Sequence, residues 1–271
     1  MGKTWEMRKV SELLDLSGRV ALVTGGAGHI GRAICEALAE QGGALAVLDR
    51  EVPAELCADL ARRFGVRVEA VIVDLADEAA ARAAVGGVVK RFGRLDILVN
   101  NAAFVGSSAL QGWATPFAEQ SADTWRRAIE VNLTAAFVLC QAAAPALAAS
   151  GHGSIVNVGS IYGVVGPDWR LYDGTAMGNP AAYAASKGGL IQLTRWLSTT
   201  LAPSVRVNAV SPGGVERGQA AEFLTRYEAR APLGRMATEE DFKGVVALLA
   251  SDAGAYITGQ NILVDGGWSV W

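Results

Sequence analysis

Short, β-branched apolar runs alternate along this chain with longer Ala/Leu-rich amphipathic segments, and that alternation limits the fold more than any other feature. Strands are expected over 20–24, 44–48, 67–73, 96–100, 154–158, 206–210 and 261–264. Helices are expected over 30–41, 54–64, 78–92, 122–149, 181–201, 220–230 and 239–250. Runs such as ALVT, ALAVL and DILVN are apolar on both faces, as strands are in a parallel sheet covered on both sides. Repeated strand–helix–strand units imply right-handed crossovers. The expected class is α/β, a doubly wound parallel sheet of about seven strands with helices on both faces. No linker or repeat divides the chain, so 1–271 reads as one domain, with 1–17 as an N-terminal extension.

Composition narrows the function classes. The net charge is -3 with both signs interspersed, which gives no basic footprint for nucleic acid and no attraction to an anionic membrane. His29 and His152 are the only histidines, and Cys35, Cys57 and Cys140 lack metal-ligand spacing, so no metal site is expected. The cysteines read as small core residues in a reducing compartment. The start of the chain is charged and lacks an apolar signal core. The most apolar stretch, 133–149, is interrupted by Gln141 and Pro145. A soluble cytoplasmic protein is the expectation.

Thr24-Gly25-Gly26-Ala27-Gly28-His29-Ile30-Gly31 falls between the first strand and the first helix. Gly26, Gly28 and Gly31 satisfy G-x-G-x-x-G. Such glycines allow a tight turn, close approach of backbone to a pyrophosphate and tight helix–strand packing. The helix amino terminus then presents unpaired N–H groups to the phosphates. Asp49 closes the second strand, where a carboxylate can accept from both adenosine ribose hydroxyls and repel the 2′-phosphate of NADP. NAD is therefore expected over NADP, with Arg50 as a partial offset to that repulsion.

Tyr183-Ala184-Ala185-Ser186-Lys187 carries the chemistry. Residues four apart share a helix face, so Tyr183 and Lys187 converge. A tyrosine titrates near 10, and bringing it near 7 takes roughly 3 units, about 4 kcal/mol. One cation at about 4 Å supplies about that much at an effective dielectric near 20.

With these residues in view, the chain resembles the short-chain dehydrogenase/reductase family from about Arg19 to Gly267. The turn resembles that family's T-G-x-x-x-G-x-G, with His29 at the middle glycine. Asp74-Leu75 resemble its pair beside the adenine, and Asn100-Asn101-Ala102-Ala103 its N-N-A-G. Pro212-Gly213 resemble its nicotinamide-side loop, although Arg217 stands where the family often has Thr. Ser160 matches the catalytic serine, and Asn132 the helical Asn that positions a water against the lysine. The resemblance implies a Rossmann-type fold and a catalytic set of Ser160, Tyr183, Lys187 and Asn132. It further implies a nicotinamide cofactor held by Gly25, Gly26, Gly28, His29, Ile30 and Gly31, by Asp49 and Arg50, and by Asp74 and Leu75. Asn101, Ala102 and Ala103, then Tyr183 and Lys187, and finally Pro212, Gly213 and Val215 complete that cofactor set. Tyr183 would exchange the hydroxyl proton of an alcohol/ketone pair while hydride passes to or from the nicotinamide.

Two long connections, 104–120 and 161–180, leave strand carboxyl ends, where ligands bind in open α/β sheets. Ser160 and Tyr183 lie 23 residues apart, well beyond the family's usual spacing. The insertion carries Trp169, Tyr172 and charged neighbours, and loosely resembles a subgroup linked to bacterial sugar and flagellin modification. Trp113, Ser160, Tyr162, Trp169 and Tyr172 are the expected substrate contacts, and a sugar or other polyhydroxylated compound the leading substrate. Alternatives are a reductase of hydrophobic ketones or β-ketoacyl thioesters, a sugar-nucleotide epimerase or dehydratase, and a non-catalytic NAD-binding regulator. By resemblance, helix 122–149 and the Trp268-containing tail imply a homo-oligomer, a tetramer in the expectation.

Overall fold

The computed structural model describes residues 7–51 and 53–271; residues 1–6 of the expected N-terminal extension lie outside it. The seven strands form one all-parallel sheet in the order β3-β2-β1-β4-β5-β6-β7. They are β1 Val20–Thr24, β2 Ala44–Asp49, β3 Val68–Ile72, β4 Ile97–Asn100, β5 Gly153–Val158, β6 Val205–Pro212 and β7 Asn261–Val264. The helices are α1 Val10–Leu14, α2 His29–Glu40, α3 Ala54–Phe64, α4 Glu78–Phe92, α5 Ala122–Ile129, α6 Ala135–Ser150, α7 Ala181–Thr200, α8 Ala221–Arg230 and α9 Lys243–Ala250.

Local chemistry explains the boundaries. Asp77 caps α4 by accepting from the Ala80 N–H at 3.0 Å, and Gly93 ends it in the left-handed region at φ 81°. Ser121 caps α5 in the same way, and Gly151 (φ 77°) follows α6. Strands β1, β4 and β5 are buried along their whole length, the apolar pattern of a sheet covered on both faces. One core layer joins the sheet to α4 and α6 through Val85, Val88, Leu139 and Leu147. The other joins it to α2 and α9 through Ile34, Leu38, Val246 and Leu249. The run Ala122–Ser150 is long and apolar enough to cross a membrane by length and composition. Its residues Val138, Leu139, Cys140, Ala143 and Leu147 are instead buried in the α4-side core.

The structure departs from the sequence expectation in three places. A short helix, α1, lies within the expected extension. The single helix expected over 122–149 is two α-helices joined by a π turn at Glu130–Thr134. Trp268, expected at an interface between copies, is buried within its own chain. It stacks on Tyr227 with centroids 5.9 Å apart, and the Arg230 guanidinium lies 4.5 Å from its ring.

Candidate active site

The chain crosses from β1 to β2 on one side and reaches β4 on the other, so the crossovers diverge between β1 and β4. That divergence opens a crevice at the strands' carboxyl ends. A cavity of about 980 Å³ lies there.

The glycine-rich turn forms one wall. Gly25 has φ +61°, and a Cβ on it would come within 2.8 Å of the Ala102 Cα, so this residue makes the tight turn. A Cβ on Gly31 would lie 2.0 Å from the Gly25 carbonyl, so the first turn of α2 can close on the loop only with glycine there. Gly26 does not line the cavity; a Cβ there would strike Val47, and its smallness lets the turn pack on β2. This corrects the expectation that Gly26 is the turn glycine beside a phosphate. His29, at the family's middle glycine, opens α2 with its side chain mostly outside the turn, and among the described residues no non-glycine residue has positive φ. The cradle therefore stays open. His29, Ile30 and Gly31 all line the cavity, and their N–H groups belong to the first turn, which has no intrahelical acceptors.

Neighbouring strands hold this turn in place. Asn101 donates from its side chain to the Thr24 and Gly25 carbonyls, both at 3.0 Å, and its N–H donates to the Thr24 hydroxyl. Asp49 accepts from the Ala27 N–H at 3.0 Å and from the Arg50 N–H at 2.8 Å. Asp49, Arg50, Asp74, Leu75, Asn101, Ala102 and Ala103 line one end of the cavity, and Pro212, at the end of β6, with Gly213 and Val215 after it, also lines it. These residues fit a dinucleotide: glycine-only backbone beside a helix amino terminus, with a carboxylate at the end of β2.

Ser160, Tyr183 and Lys187 meet at the centre. Ser160 follows β5, and its Oγ accepts from the Tyr162 N–H at 3.2 Å, leaving its own O–H to donate. Burial pushes the Tyr183 phenol up, and the adjacent Ser160 hydroxyl partly offsets this. Burial also lowers Lys187 to about 8. Its ammonium donates to the Val158 carbonyl at 2.6 Å and stands 5.9 Å from the Tyr183 ring centroid.

Asn132 is buried in the π turn, but its side chain is already committed. It donates to the Phe104 carbonyl at 3.0 Å and to the Ser186 hydroxyl at 3.1 Å, and accepts from the Phe104 N–H at 2.7 Å. The amide clamps the loop after β4 to α7, and it does not line the cavity. Both N–H donors of this amide are thus used within the protein.

The insertion does not lie loose over the site. Arg230 of α8 pairs with Asp168 at 2.8 Å, and Arg226 donates to the Asp173 carbonyl at 2.5 Å. Leu171 is buried with Phe223, Tyr227, Met236 and Trp268. Tyr162 and Tyr172 line the cavity as expected and share a hydroxyl–hydroxyl hydrogen bond of 2.7 Å. Two expected contacts fail. Trp169 is 56% exposed and outside the cavity, with its ring against the outer side of Tyr172. Trp113 is 2% exposed, donates to the Val105 carbonyl and packs with Ala128 and Ala182, so it braces α5 against α7. In their place the cavity takes Asn179, Met177, Phe223, Tyr227 and Met236. Phe223 and Tyr227 are an i, i+4 aromatic pair, a pattern that marks a helix face without saying what lies opposite it.

The comparisons with known proteins agree with this geometry. Residues 25–269 match the family model described as enoyl-(acyl carrier protein) reductase. The chain is 37% identical to the cis-4-hydroxycyclohexanecarboxylate dehydrogenase of Sinomonas cyclohexanicum, over 93% of this chain and 96% of that protein. It is 34% identical to the L-rhamnose 1-dehydrogenase (NAD(P)(+)) of Sphingomonas sp. (strain SKA58), over 94% and 98%. The solved gluconate 5-dehydrogenase of Burkholderia cenocepacia J2315, in complex with NADP and tartrate, superposes with a TM-score of 0.84 at 32% identity, covering 97% of this chain and all of that one. The fold, the cradle and the converging serine, tyrosine and lysine thus have one common explanation: the chain belongs to the short-chain dehydrogenase/reductase family, whose members are nicotinamide-dependent oxidoreductases.

Proposed function

We propose that this enzyme interconverts an alcohol of a polyhydroxylated compound and the corresponding carbonyl, with NAD preferred to NADP. The observation that carries the reading is the meeting of Ser160, Tyr183 and Lys187 in the cavity that also takes in the Gly25–Gly31 turn. The nicotinamide, when bound, accepts or supplies the hydride. Gly25, Gly28 and the first turn of α2 would hold the diphosphate, and Asp49 the adenosine ribose. Ser160 donates to the substrate oxygen as charge develops there. Tyr183 takes or returns the hydroxyl proton, and Lys187 stabilises the phenolate. Asn132 acts as a positioning residue through the loop it clamps. The preference for NAD rests on the Asp49 carboxylate, fixed by two backbone N–H groups where a 2′-phosphate would have to enter.

The relatives act on sugars and hydroxy acids by name, which supports the substrate class. The intact catalytic set speaks for an enzyme over a non-catalytic NAD-binding regulator. The matched family description favours one second reading, an acyl thioester reductase. A panel of alcohols, sugars and sugar acids scored by NADH absorbance tests the proposal; turnover of acyl thioesters alone would replace it. We place the enzyme in the cytoplasm, in keeping with its three buried free cysteines. Trp125, Phe137 and Trp196 leave large apolar surface exposed on α5, α6 and α7, which supports a homo-oligomer, a tetramer in our reading.

A further inference from the structure

Asn179 directly precedes Pro180, the residue that starts α7 and so presents Tyr183. It is 7% exposed and lines the cavity, and its Oδ1 has no hydrogen-bond partner. A buried polar atom without a partner is rare and calls for an explanation. The Tyr162 and Tyr172 hydroxyl groups belong to side chains that line the same cavity. Those hydroxyls bond to each other at 2.7 Å. Two phenols bring two protons. One is used in the bond between them and the other is free. The trio therefore offers a ligand one O–H donor and one carboxamide acceptor within the same cavity.

We infer that Tyr162, Tyr172 and Asn179 form a subsite for a second, non-reacting hydroxyl of a neutral cyclic polyol, such as a monosaccharide. The inference deepens the proposed function and rests on it for the reacting end of the substrate. A hydroxyl both donates and accepts, and so satisfies the pair at once. A carboxylate only accepts, so Asn179 Oδ1 would face its negative charge. An acyl chain would leave both groups buried and unpaired. The charged side chains around the cavity point the same way. They are Asp49, Arg50, Asp74, Arg127, Lys187 and Arg217, and none belongs to the insertion or to α8. Arg217 is tied to Glu239 at 3.1 Å, and Arg127 lies over the Phe104 ring. The insertion side contributes aromatic surface instead, with Tyr172 and Phe223 centroids 5.5 Å apart, suited to the C–H faces of a sugar ring.

The test compares monosaccharides with their single-deoxy analogues and with the matching sugar acids, for the wild type, Asn179→Ala, Tyr172→Phe and Arg127→Ala. Wild-type kcat/KM should fall tenfold or more for one deoxy position. Asn179→Ala should lose about as much on the parent sugar, mostly in KM, and lose nothing further on that deoxy analogue. Tyr172→Phe should behave alike, and KM for NAD should stay within threefold in both. Equal deoxy penalties in the wild type and Asn179→Ala would overturn the inference. So would a preference for sugar acids that collapses in Arg127→Ala. Saturation-transfer NMR with a monosaccharide mixture and NAD separates this from the reaction itself. If the wild type oxidises nothing yet binds a sugar and Asn179→Ala does not, the proposed function fails and the subsite stands. If the variant binds as the wild type does, the subsite fails whatever the turnover.

Discussion

The two ends of the cavity are built by different means. At the cofactor end the shape is set by the backbone: Gly25 at positive φ, Gly31 with no room for a Cβ, and Asn101 and Asp49 fixing the turn by main-chain hydrogen bonds. At the substrate end the shape is set by side chains packed across elements far apart in sequence, from Leu171 and Tyr172 to Phe223, Tyr227 and Trp268. A backbone-built site tolerates few substitutions and serves one ligand. A side-chain-built site can change its ligand by changing its side chains, as relatives named for different substrates suggest.

The seam between the two ends should show the largest effect. Tyr183→Phe keeps the ring and removes the titrating hydroxyl, so turnover should fall by 10²–10⁴-fold or more. NADH binding, followed by fluorescence, should persist; near-normal turnover would remove the base assignment. Next comes the backbone-built end. Gly31→Ala pushes a methyl group onto the Gly25 carbonyl, and should cost about 1–3 kcal/mol in urea unfolding and weaken NADH binding at least tenfold. Unchanged affinity would mean that the cradle yields more readily than its geometry implies. Asp49→Ser removes one charge, and should shift the NAD/NADP ratio of kcat/KM roughly tenfold toward NADP, about 1.4 kcal/mol. A wild type that already favours NADP would show that Arg50 outweighs the carboxylate.

Smaller effects are expected on the outside of the insertion. Arg170 and Arg230 hold the Asp168 carboxyl down at about 2, below the usual 3.8. A depressed carboxyl stabilises the fold in full above the unfolded value, and that contribution is lost as pH falls through 3.8 toward 2. Asp168→Asn should therefore cost about 1 kcal/mol or less at pH 7, and its urea midpoint should converge on the wild type's as pH falls below 4. A gap independent of pH would mean packing, not charge, holds the insertion to α8. Smallest of all, Trp169→Ala should change kcat/KM less than threefold, because the ring lies outside the cavity. A tenfold loss would mean that the insertion moves inward when substrate binds.

Much of the cofactor end was legible from local pattern alone. Its glycines, Asp49 and the Tyr183–Lys187 spacing act over one turn or one strand end, so short-range steric and helical rules apply to them. Even there, the division of labour between Gly25 and Gly26 depended on what a Cβ would strike on β2 and in the segment just after β4. Asn132 was recognisable by its position, but the partners that saturate its amide come from Phe104 and Ser186. The insertion was legible as a functional segment from its length and its fixed ends. Which of its aromatic residues face inward was not, because a short 3-10 turn at Trp169–Leu171 sets their directions and α8 supplies the surface they pack on.

The sequence by itself determined the class of sheet and marked the glycine-rich turn and the residues proposed to carry the chemistry, because apolar periodicity, glycine sterics and i, i+4 spacing are local properties of the chain. Only the tertiary structure decided that Trp113, Trp169 and Trp268 serve packing while Asn179, Phe223 and Tyr227 line the cavity. An aromatic or amide side chain is equally suited to a core and to a ligand, and only the elements packed against it settle which it meets.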